Sequence, residues 1–365
     1  MSKTISVTSQ TAGNAFSYDI VITNGFRELS SLLEPVLESG RKAAIISDSN
    51  VFGIYGDEIK NLLAEKEIPC FSFVFPAGEE SKNLDTVQDV YEFLIKNRFE
   101  RRDVCIALGG GVVGDLTGFV AATYLRGISF VQIPTTLLAQ TDSSIGGKTG
   151  VDFRRFKNMV GAFHQPSLCF MNMNTLQTLD KRQFLSGLGE VIKAALIKDK
   201  AFYEWIKNNS DGILSLDDKI LEEMIYRSCL IKREVVQNDP KEAGERALLN
   251  FGHTLGHAIE RCAGFSLFHG ECVVLGMIAA LYISKQREDI SSAEYEDAYR
   301  LFERFGYTMK VAGLSKADIT DTAKSDKKAE AGVVKFILLQ DIGKAVIKGD
   351  VTQQEMDKAL DVILE

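Results

Sequence analysis

Short continuous apolar runs alternate with helix-spaced apolar stripes along the first half of this 365-residue chain. Residues 42–47, 70–75, 103–108 and 129–133 are runs of strand length. Residues 51–66 and 84–97 place apolar side chains three and four positions apart, the spacing of one helical face. Continuously apolar strands separated by helices predict a mostly parallel sheet covered on both sides. At the N-terminus, residues 5–7 and 18–23 form an added antiparallel pair, joined through Gly13-Asn14. From about Lys181 the pattern becomes helical, at 184–197, 220–236, 247–262, 272–285, 293–305 and 355–364. One strand pair, 333–339 and 344–348, interrupts it, with Gly343 at the turn. The fold class is therefore a Rossmann-like α/β domain, residues 1–178, followed by an all-α or mainly helical domain, residues 179–365. In such folds ligands bind at the carboxyl ends of parallel strands, so a cleft is expected between the domains.

Composition narrows the function classes. The net charge of -8 argues against non-specific binding to nucleic acid or to an anionic membrane. No run of about twenty apolar residues is present, as a membrane-spanning helix would need. Residues 1–10 lack an apolar leader core, so a cytoplasmic location is expected. The six cysteines (70, 105, 169, 229, 262 and 272) form no C-x-x-C pair and sit mostly in apolar segments, as reduced packing residues do.

Candidate chemistry begins with histidine. Three of the four histidines fall in Asn250-Phe-Gly-His253-Thr-Leu-Gly-His257-Ala-Ile-Glu260 and Phe268-His269-Gly-Glu271. His253 and His257, four apart, share a helical face. Neutral imidazole is the commonest ligand for zinc-like metals, and such clustering in a histidine-poor chain points to a metal site. The alternative, buried histidines that satisfy core hydrogen bonds, suits a lone histidine better than three. Cys262 and Cys272 flank the cluster among apolar neighbours, which favours packing over ligation.

A second signal is Gly109-Gly-Gly-Val-Val-Gly114-Asp115, which follows a strand and opens a helix. Glycines there let backbone N–H groups approach a pyrophosphate. It departs from G-x-G-x-x-G, and a tight structural turn would also explain it. Asp48 at the end of the first strand is placed to accept from a ribose hydroxyl, and Thr135-Thr136 offer hydroxyls at the same sheet edge. Basic residues recur at glycine-rich bends: Arg126, Lys148 in Gly146-Gly-Lys-Thr-Gly150, Lys157-Asn158, Lys193, Lys232 and Arg246. Any one lysine is by default solvated, but glycine around Lys148 suits close approach to an anion. Metal, nucleotide and several cations together suit a small phosphorylated carboxylate.

These segments carry a specific resemblance. Gly109–Asp115, 126–140, Asp142-Ser-Ser-Ile-Gly-Gly-Lys-Thr-Gly150, 157–166, Gly189-Glu-Val-Ile-Lys193, 246–260 and His269-Gly-Glu-Cys272 resemble the 3-dehydroquinate synthase family, from about Asp48 to Lys344. The resemblance implies a dehydroquinate synthase-like fold, a homodimer, a catalytic NAD and one divalent metal, zinc or cobalt. It implies Glu190, His253 and His269 as metal ligands, with His257 handling substrate and proton. The implied NAD contacts are Asp48, Glu79, Lys82, Gly111, Val112, Val113, Gly114, Asp115, Thr135, Thr136, Asp142, Lys148, Lys157, Thr175, Leu176 and Thr178. The implied substrate contacts are Arg126, Lys148, Asn158, Lys193, Lys232, Arg246, Asn250 and His257, with Lys327 or Lys328 as a further cation. Of these, His257, Lys148, Asn158, Lys193 and Arg246 are the implied catalytic set.

The implied reaction turns 3-deoxy-D-arabino-heptulosonate 7-phosphate into 3-dehydroquinate and phosphate, a step of the shikimate pathway to aromatic amino acids. C5 is oxidised by NAD, phosphate leaves by β-elimination, C5 is reduced again, and the opened ring closes by an intramolecular aldol step. Related cyclases making inosose or valiolone skeletons use substrates without the carboxylate, and a metal-dependent polyol dehydrogenase would release NADH. Intact Arg246, Lys148 and Asp142-Ser-Ser-Ile-Gly-Gly favour the first. Asn172 and Asp180 depart from the family pattern, which carries an acid and a proline there, as does Pro240 in a segment that is acidic in the family. These departures put local loop geometry in doubt rather than activity.

Overall fold

The computed structural model describes residues 2–9, 15–37, 40–154, 156–240, 242, 244–264, 266–327 and 334–365. It divides into two units, residues 1–179 with 232–240, and residues 180–231 with 241–365. The Gly13-Asn14 turn and Lys328 lie outside the described residues.

The first unit contains β1 (Lys3–Ser9), β2 (Phe16–Thr23), α1 (Leu29–Leu33), β3 (Ala43–Asp48), α2 (Ser49–Ala64), β4 (Cys70–Phe75), α3 (Leu84–Lys96), β5 (Val104–Gly109) and α4 (Gly111–Thr123). There follow β6 (Ser129–Pro134), β7 (Lys148–Phe153), β8 (Phe156–Phe163) and β9 (Leu168–Asn172). Seven of these strands make one sheet, in the order β1-β2-β9-β6-β5-β3-β4. Only β1 with β2 is antiparallel; every other pairing in the sheet is parallel. The continuous apolar runs are explained by two-sided burial. Ala44 and Ile46 of β3 face a core that includes α3 and α4, whereas Ala43 and Ile45 face a core that includes α1 and α2. Burying each isoleucine contributes about 1.5–3 kcal/mol. Strands β7 and β8 form a separate antiparallel hairpin that packs on α4.

The second unit contains α5 (Lys181–Lys198), α6 (Lys200–Asn208), α7 (Ser210–Leu214), α8 (Asp218–Asn238), α9 (His253–Cys262), α10 (His269–Gln286), α11 (Ser292–Phe305) and α12 (Lys316–Lys327). It closes with β10 (Phe336–Asp341), β11 (Lys344–Lys348) and α13 (Gln353–Ile363). It is helical apart from the β10–β11 hairpin, so it is not all-α; Gly343 takes the turn with φ 86°. The last turns of α8, from Lys232, belong to the first unit. The expected helix over 247–262 is broken. Residues Glu245–Asn250 form a tighter 3-10 turn, and Gly252 at φ 79° starts α9 afresh. That left-handed backbone is what interrupts the apolar stripe. None of the six cysteines, all among the described residues, forms a disulfide, and Cys70 and Cys262 are partly exposed.

At the end of α10, Arg287 clamps Glu355 through Nε–Oε1 and Nη2–Oε2 contacts of 2.6 and 3.0 Å, and reaches Asp350 at 2.9 Å. Hydrogen bonding to this guanidinium holds the Glu355 carboxyl down at about 2, from an ordinary 4.5. A depressed carboxyl stabilises the fold above its unfolded pKa, and that contribution is lost as pH falls through its folded value. Arg287→Ala should therefore cost about 1–2 kcal/mol at neutral pH, because the pair is partly solvated. The difference in melting temperature from wild type should narrow between about pH 5 and about pH 3 as the variant's freed carboxyl protonates first. A difference that is constant over that range would remove the clamp from the stability of α13.

Candidate active site

The first unit gathers its candidate residues at loops that follow the parallel strands. Gly110 caps α4 immediately after β5, and Gly111, Val112, Val113, Gly114 and Asp115 make the first turn and a half of the helix. Val113 is buried, and Thr135 N–H donates to the Gly109 carbonyl, joining the loops after β5 and β6. Thr136 Oγ1 accepts from Ala139 N–H at 3.1 Å, starting the turn that carries Asp142. Asp142 pairs with Lys232 of the returning end of α8. Asp48, expected to meet a ribose, caps α2: its Oδ1 accepts from Asn50 and Val51 N–H at 2.9 and 3.0 Å. Thr175 and Leu176 are buried, and the Thr175 hydroxyl donates to Asn172 O, so those side chains are committed to the interior. Thr178 bonds Tyr55.

One buried cation ties this edge together. Lys82 Nζ donates to Asp115 Oδ2 and to Asn158 Oδ1, each at 2.7 Å, and lies 3.9 Å from Glu79. Burial opposes its charge, but Asp115 and Glu79 outweigh burial and hold the ammonium above its usual range. Glu79 also faces Lys157 at 4.0 Å. Asn158 is held in a left-handed conformation (φ 54°), its N–H donating to Asp152 Oδ1 at 2.7 Å. Glu79, Lys82, Asp115, Lys157 and Asn158 are thus brought together. Lys148 opens β7 and is exposed. Arg126 is not gathered with them. It is exposed, in a turn after the end of α4. Thirteen helical residues, about 20 Å, separate the start of that helix from this turn.

In the second unit, Glu190 lies in the middle of α5, with its side chain 2% exposed. Its Oε1 is 3.6 Å from His253 Nε2 and 3.4 Å from His269 Nε2. Ligand atoms about 2.1 Å from a common tetrahedral centre lie roughly 3.4 Å apart, so the two distances from Glu190 Oε1 match the spacing of a zinc-like ion. The three histidines alone reach one another only within 4.8 Å. Glu190, His253 and His269 therefore make a candidate donor set, with His257 beside it, its ring 4.9 Å from that of His253. Neither Glu190 oxygen accepts a regular hydrogen bond, although Lys193 on the next turn pairs with it. A buried carboxylate whose charge is met by ion pairs rather than by regular hydrogen bonds fits a cation. Burial works against the Glu190 charge, but Lys193 and His253 hold its carboxyl well below the usual range. Burial and Lys193 push His253 down, whereas Glu190 and Glu260 overcome burial at His269 and raise it to about 9.

Helix packing sets this geometry. A Cβ on Gly270 would strike the Ser186 backbone of α5, and one on Gly276 would strike the Gly252 carbonyl at the start of α9. The two glycines let α10 close on both helices. Arg182 locks the start of α10 through Glu271, at 2.6 and 2.7 Å. Arg246 is buried in the 3-10 turn before α9, and Asn250 donates to Glu242 at 3.2 Å. Glu245 pairs with Lys198. Two contributors escaped the sequence reading: Glu260, which completes the spacing 253, 257, 260, and the Phe251 carbonyl that holds His253 Nδ1 at 3.1 Å.

Profiles of the 3-dehydroquinate synthase N-terminal and C-terminal domains match residues 72–186 and 187–329. The 3-dehydroquinate synthase of Acidithiobacillus ferrooxidans is 43% identical over 350 residues, 96% of each chain. The chain belongs to the 3-dehydroquinate synthase family. Among solved structures, the 2-epi-5-epi-valiolone synthase of Streptomyces hygroscopicus subsp. jinggangensis 5008, with NAD+ and Zn2+ bound, is 28% identical. Its TM-score is 0.88, over 95% of this chain and 96% of that one. A 2-deoxy-scyllo-inosose synthase complexed with carbaglucose-6-phosphate, NAD+ and Co2+ is 25% identical with a TM-score of 0.89, over 99% and 100%. The fold is the dehydroquinate synthase-like fold of the sugar-phosphate cyclases.

Close approach gives a direct test of the helix geometry. Gly276→Ala should lower unfolding free energy by about 1–3 kcal/mol, because its Cβ meets backbone that cannot swing away. Gly53→Ala, in the interior of α2 with open space around it, should be neutral or stabilising by up to about 1 kcal/mol. Denaturant titration of both distinguishes a packing constraint from a general cost of replacing glycine. Equal stability of the two variants would refute the constraint.

Proposed function

We propose that this chain converts 3-deoxy-D-arabino-heptulosonate 7-phosphate to 3-dehydroquinate and phosphate, as a carbon–oxygen lyase with a resident NAD and one divalent metal. The observation that carries this reading is the convergence of Glu190 Oε1 with the Nε2 atoms of His253 and His269 at 3.6 and 3.4 Å, in a chain of this family. Glu190, His253 and His269 would hold the metal; Glu79, Lys82, Asp115, Thr135, Thr136, Asp142 and the Gly111–Gly114 turn would hold NAD. When bound, these groups supply a Lewis acid for the C5 oxygen and a reversible hydride acceptor for C5.

The side chains account for the remaining steps. His257, beside His253 on α9, takes the C5 hydroxyl proton and returns it on reduction. Arg246 and Lys193 are buried cations suited to carboxylate and phosphate, and Asn250 is held by Glu242. Lys148, Asn158 and Lys232 complete the anion-binding set. Arg126, exposed in the turn after α4, is a further candidate cation for the substrate. The departing phosphate takes the C6 proton, so no dedicated base is required. The related cyclases that resemble this chain at 25–28% identity do so less than the dehydroquinate synthase at 43%. We further propose a cytoplasmic homodimer; no helix among the described residues is long and apolar enough to cross a membrane.

Incubation with the heptulosonate phosphate should release one phosphate per substrate with no net NADH, and the product should be 3-dehydroquinate by NMR. Stoichiometric NADH would reassign the chain to polyol oxidation. Turnover confined to sugar phosphates lacking the carboxylate would reassign it to the inosose or valiolone cyclases. His253→Ala should lose the metal by elemental analysis; His257→Ala should keep the metal and lose rate. Arg246→Lys keeps the charge but forfeits the two-pronged contact, and should lower kcat/KM more than tenfold, about 1.4 kcal/mol or more. Activity within about threefold of wild type would take Arg246 out of the substrate set. Light scattering should give twice the chain mass; a monomer at assay concentration would refute the dimer.

A further inference from the structure

Helix α9 carries His253, His257 and Glu260 on one stripe, four and three residues apart. The first two are accounted for above. Glu260 is buried, at 6% exposure, where an uncompensated carboxylate is costly. Its Oε2 lies 3.3 Å from Nδ1 of His269, the first residue of α10. The other ring nitrogen of His269, Nε2, lies 3.4 Å from Glu190 Oε1. An ionised carboxylate only accepts, so Nδ1 donates to Glu260, and when the ring gives up a proton to bind an ion the lone pair is the one on Nε2.

His253 is arranged the same way by a different device: its Nδ1 meets the Phe251 carbonyl at 3.1 Å and its Nε2 faces Glu190 at 3.6 Å. A backbone carbonyl two residues away is fixed by the helix start. For His269, a side chain nine residues back, on a different helix, performs that task. We propose that Glu260 is a positioning residue for the metal site, holding His269 by Nδ1 so that Nε2 is presented to the ion alongside Glu190. The inference rests on Glu190, His253 and His269 being the ligand set. A carboxylate on the distal nitrogen also makes the imidazole a stronger donor, and loss of such a partner typically costs 10–100-fold in metal affinity.

The test is zinc affinity, measured by competition with a chromophoric chelator at one pH, together with the melting temperature of each metal-free protein. Glu260→Leu removes the acceptor at similar volume and should weaken zinc binding roughly 10–100-fold. Glu260→Gln keeps an acceptor oxygen and should recover part of that loss. His269→Ala should lose zinc outright. In zinc-loaded protein labelled with 15N-histidine, His269 should be bound through Nε2 and show a protected Nδ1 proton. The outcomes separate two failures. If His269→Ala binds zinc as wild type does, the ligand set itself falls. If His269→Ala loses zinc while Glu260→Leu stays within about threefold of wild type, Glu260 has no positioning role and the ligand set stands. Should Glu260→Leu fail to fold, the wild-type spectrum decides: His269 bound through Nδ1 overturns the role, and binding through Nε2 with a protected Nδ1 proton supports it.

Discussion

A carboxylate buried in the middle of a helix is the constraint on which the second unit depends. Glu190 is withdrawn from water on α5, a cost of several kcal/mol for an isolated ion. The fold has to bring compensating groups to it from three directions. Lys193 comes from the next turn, His253 from the start of α9, and His269 from the start of α10. Both histidines sit at helix starts, so where the helices begin determines where the rings stand. That is why the backbone breaks at Gly252 and why Gly270 and Gly276 are bare: a side chain at either would part the helices that carry Glu190, His253 and His269. Local conformation, close packing and the polar cluster are one requirement seen at three scales.

The first unit solves the converse problem around a buried cation. Lys82 is enclosed by Asp115 from the start of α4, Asn158 from the β7–β8 hairpin and Glu79 from its own turn. It fastens the glycine-rich helix start to a hairpin that makes no strand pairing with the main sheet. The hairpin needs such fastening, since Phe153, Phe156, Met159 and Phe163 are exposed. Packing of Val151 and Thr149 onto α4 holds one end of it, and the Lys82 cluster holds the other.

What the sequence makes legible follows from which forces are local. Strands β3, β5 and β6 declare themselves because burial on both faces leaves few polar positions inside them, Ser47 and Gln132 being buried exceptions. The β7–β8 hairpin does not, because its second strand has no buried position, so its alternation carries no inward face to detect. The histidine cluster is visible because metal chemistry restricts residue types, whereas Glu190 enters only through the family resemblance. Asp48 shows the opposite: an acid after a strand can cap the next helix as readily as it can face a ribose, and here it caps α2. Arg126 lies in an exposed turn beyond the thirteen residues of α4, a separation along the helix that no short motif encodes. Glu260 was in view within the quoted motif, but its role depends on a contact between two helices.

Opposite signs in the two clusters bear on how ligands enter them. Bringing a new charge into a dry site costs more than exchanging one partner for another. Lys193 and a divalent ion would compete for the same carboxylate. On the proposed reading, an ion held by Glu190 takes over the compensation that Lys193 otherwise provides. The ammonium is then left buried, one turn along α5, with its own need for a counter-charge. An anionic group of the substrate meets that need. The same lysine thus keeps Glu190 tolerable in the metal-free fold and favours an anion once the metal is present. On that reading, binding of metal and of substrate anion would be coupled through one side chain, because each arriving charge would replace a partner in the buried cluster.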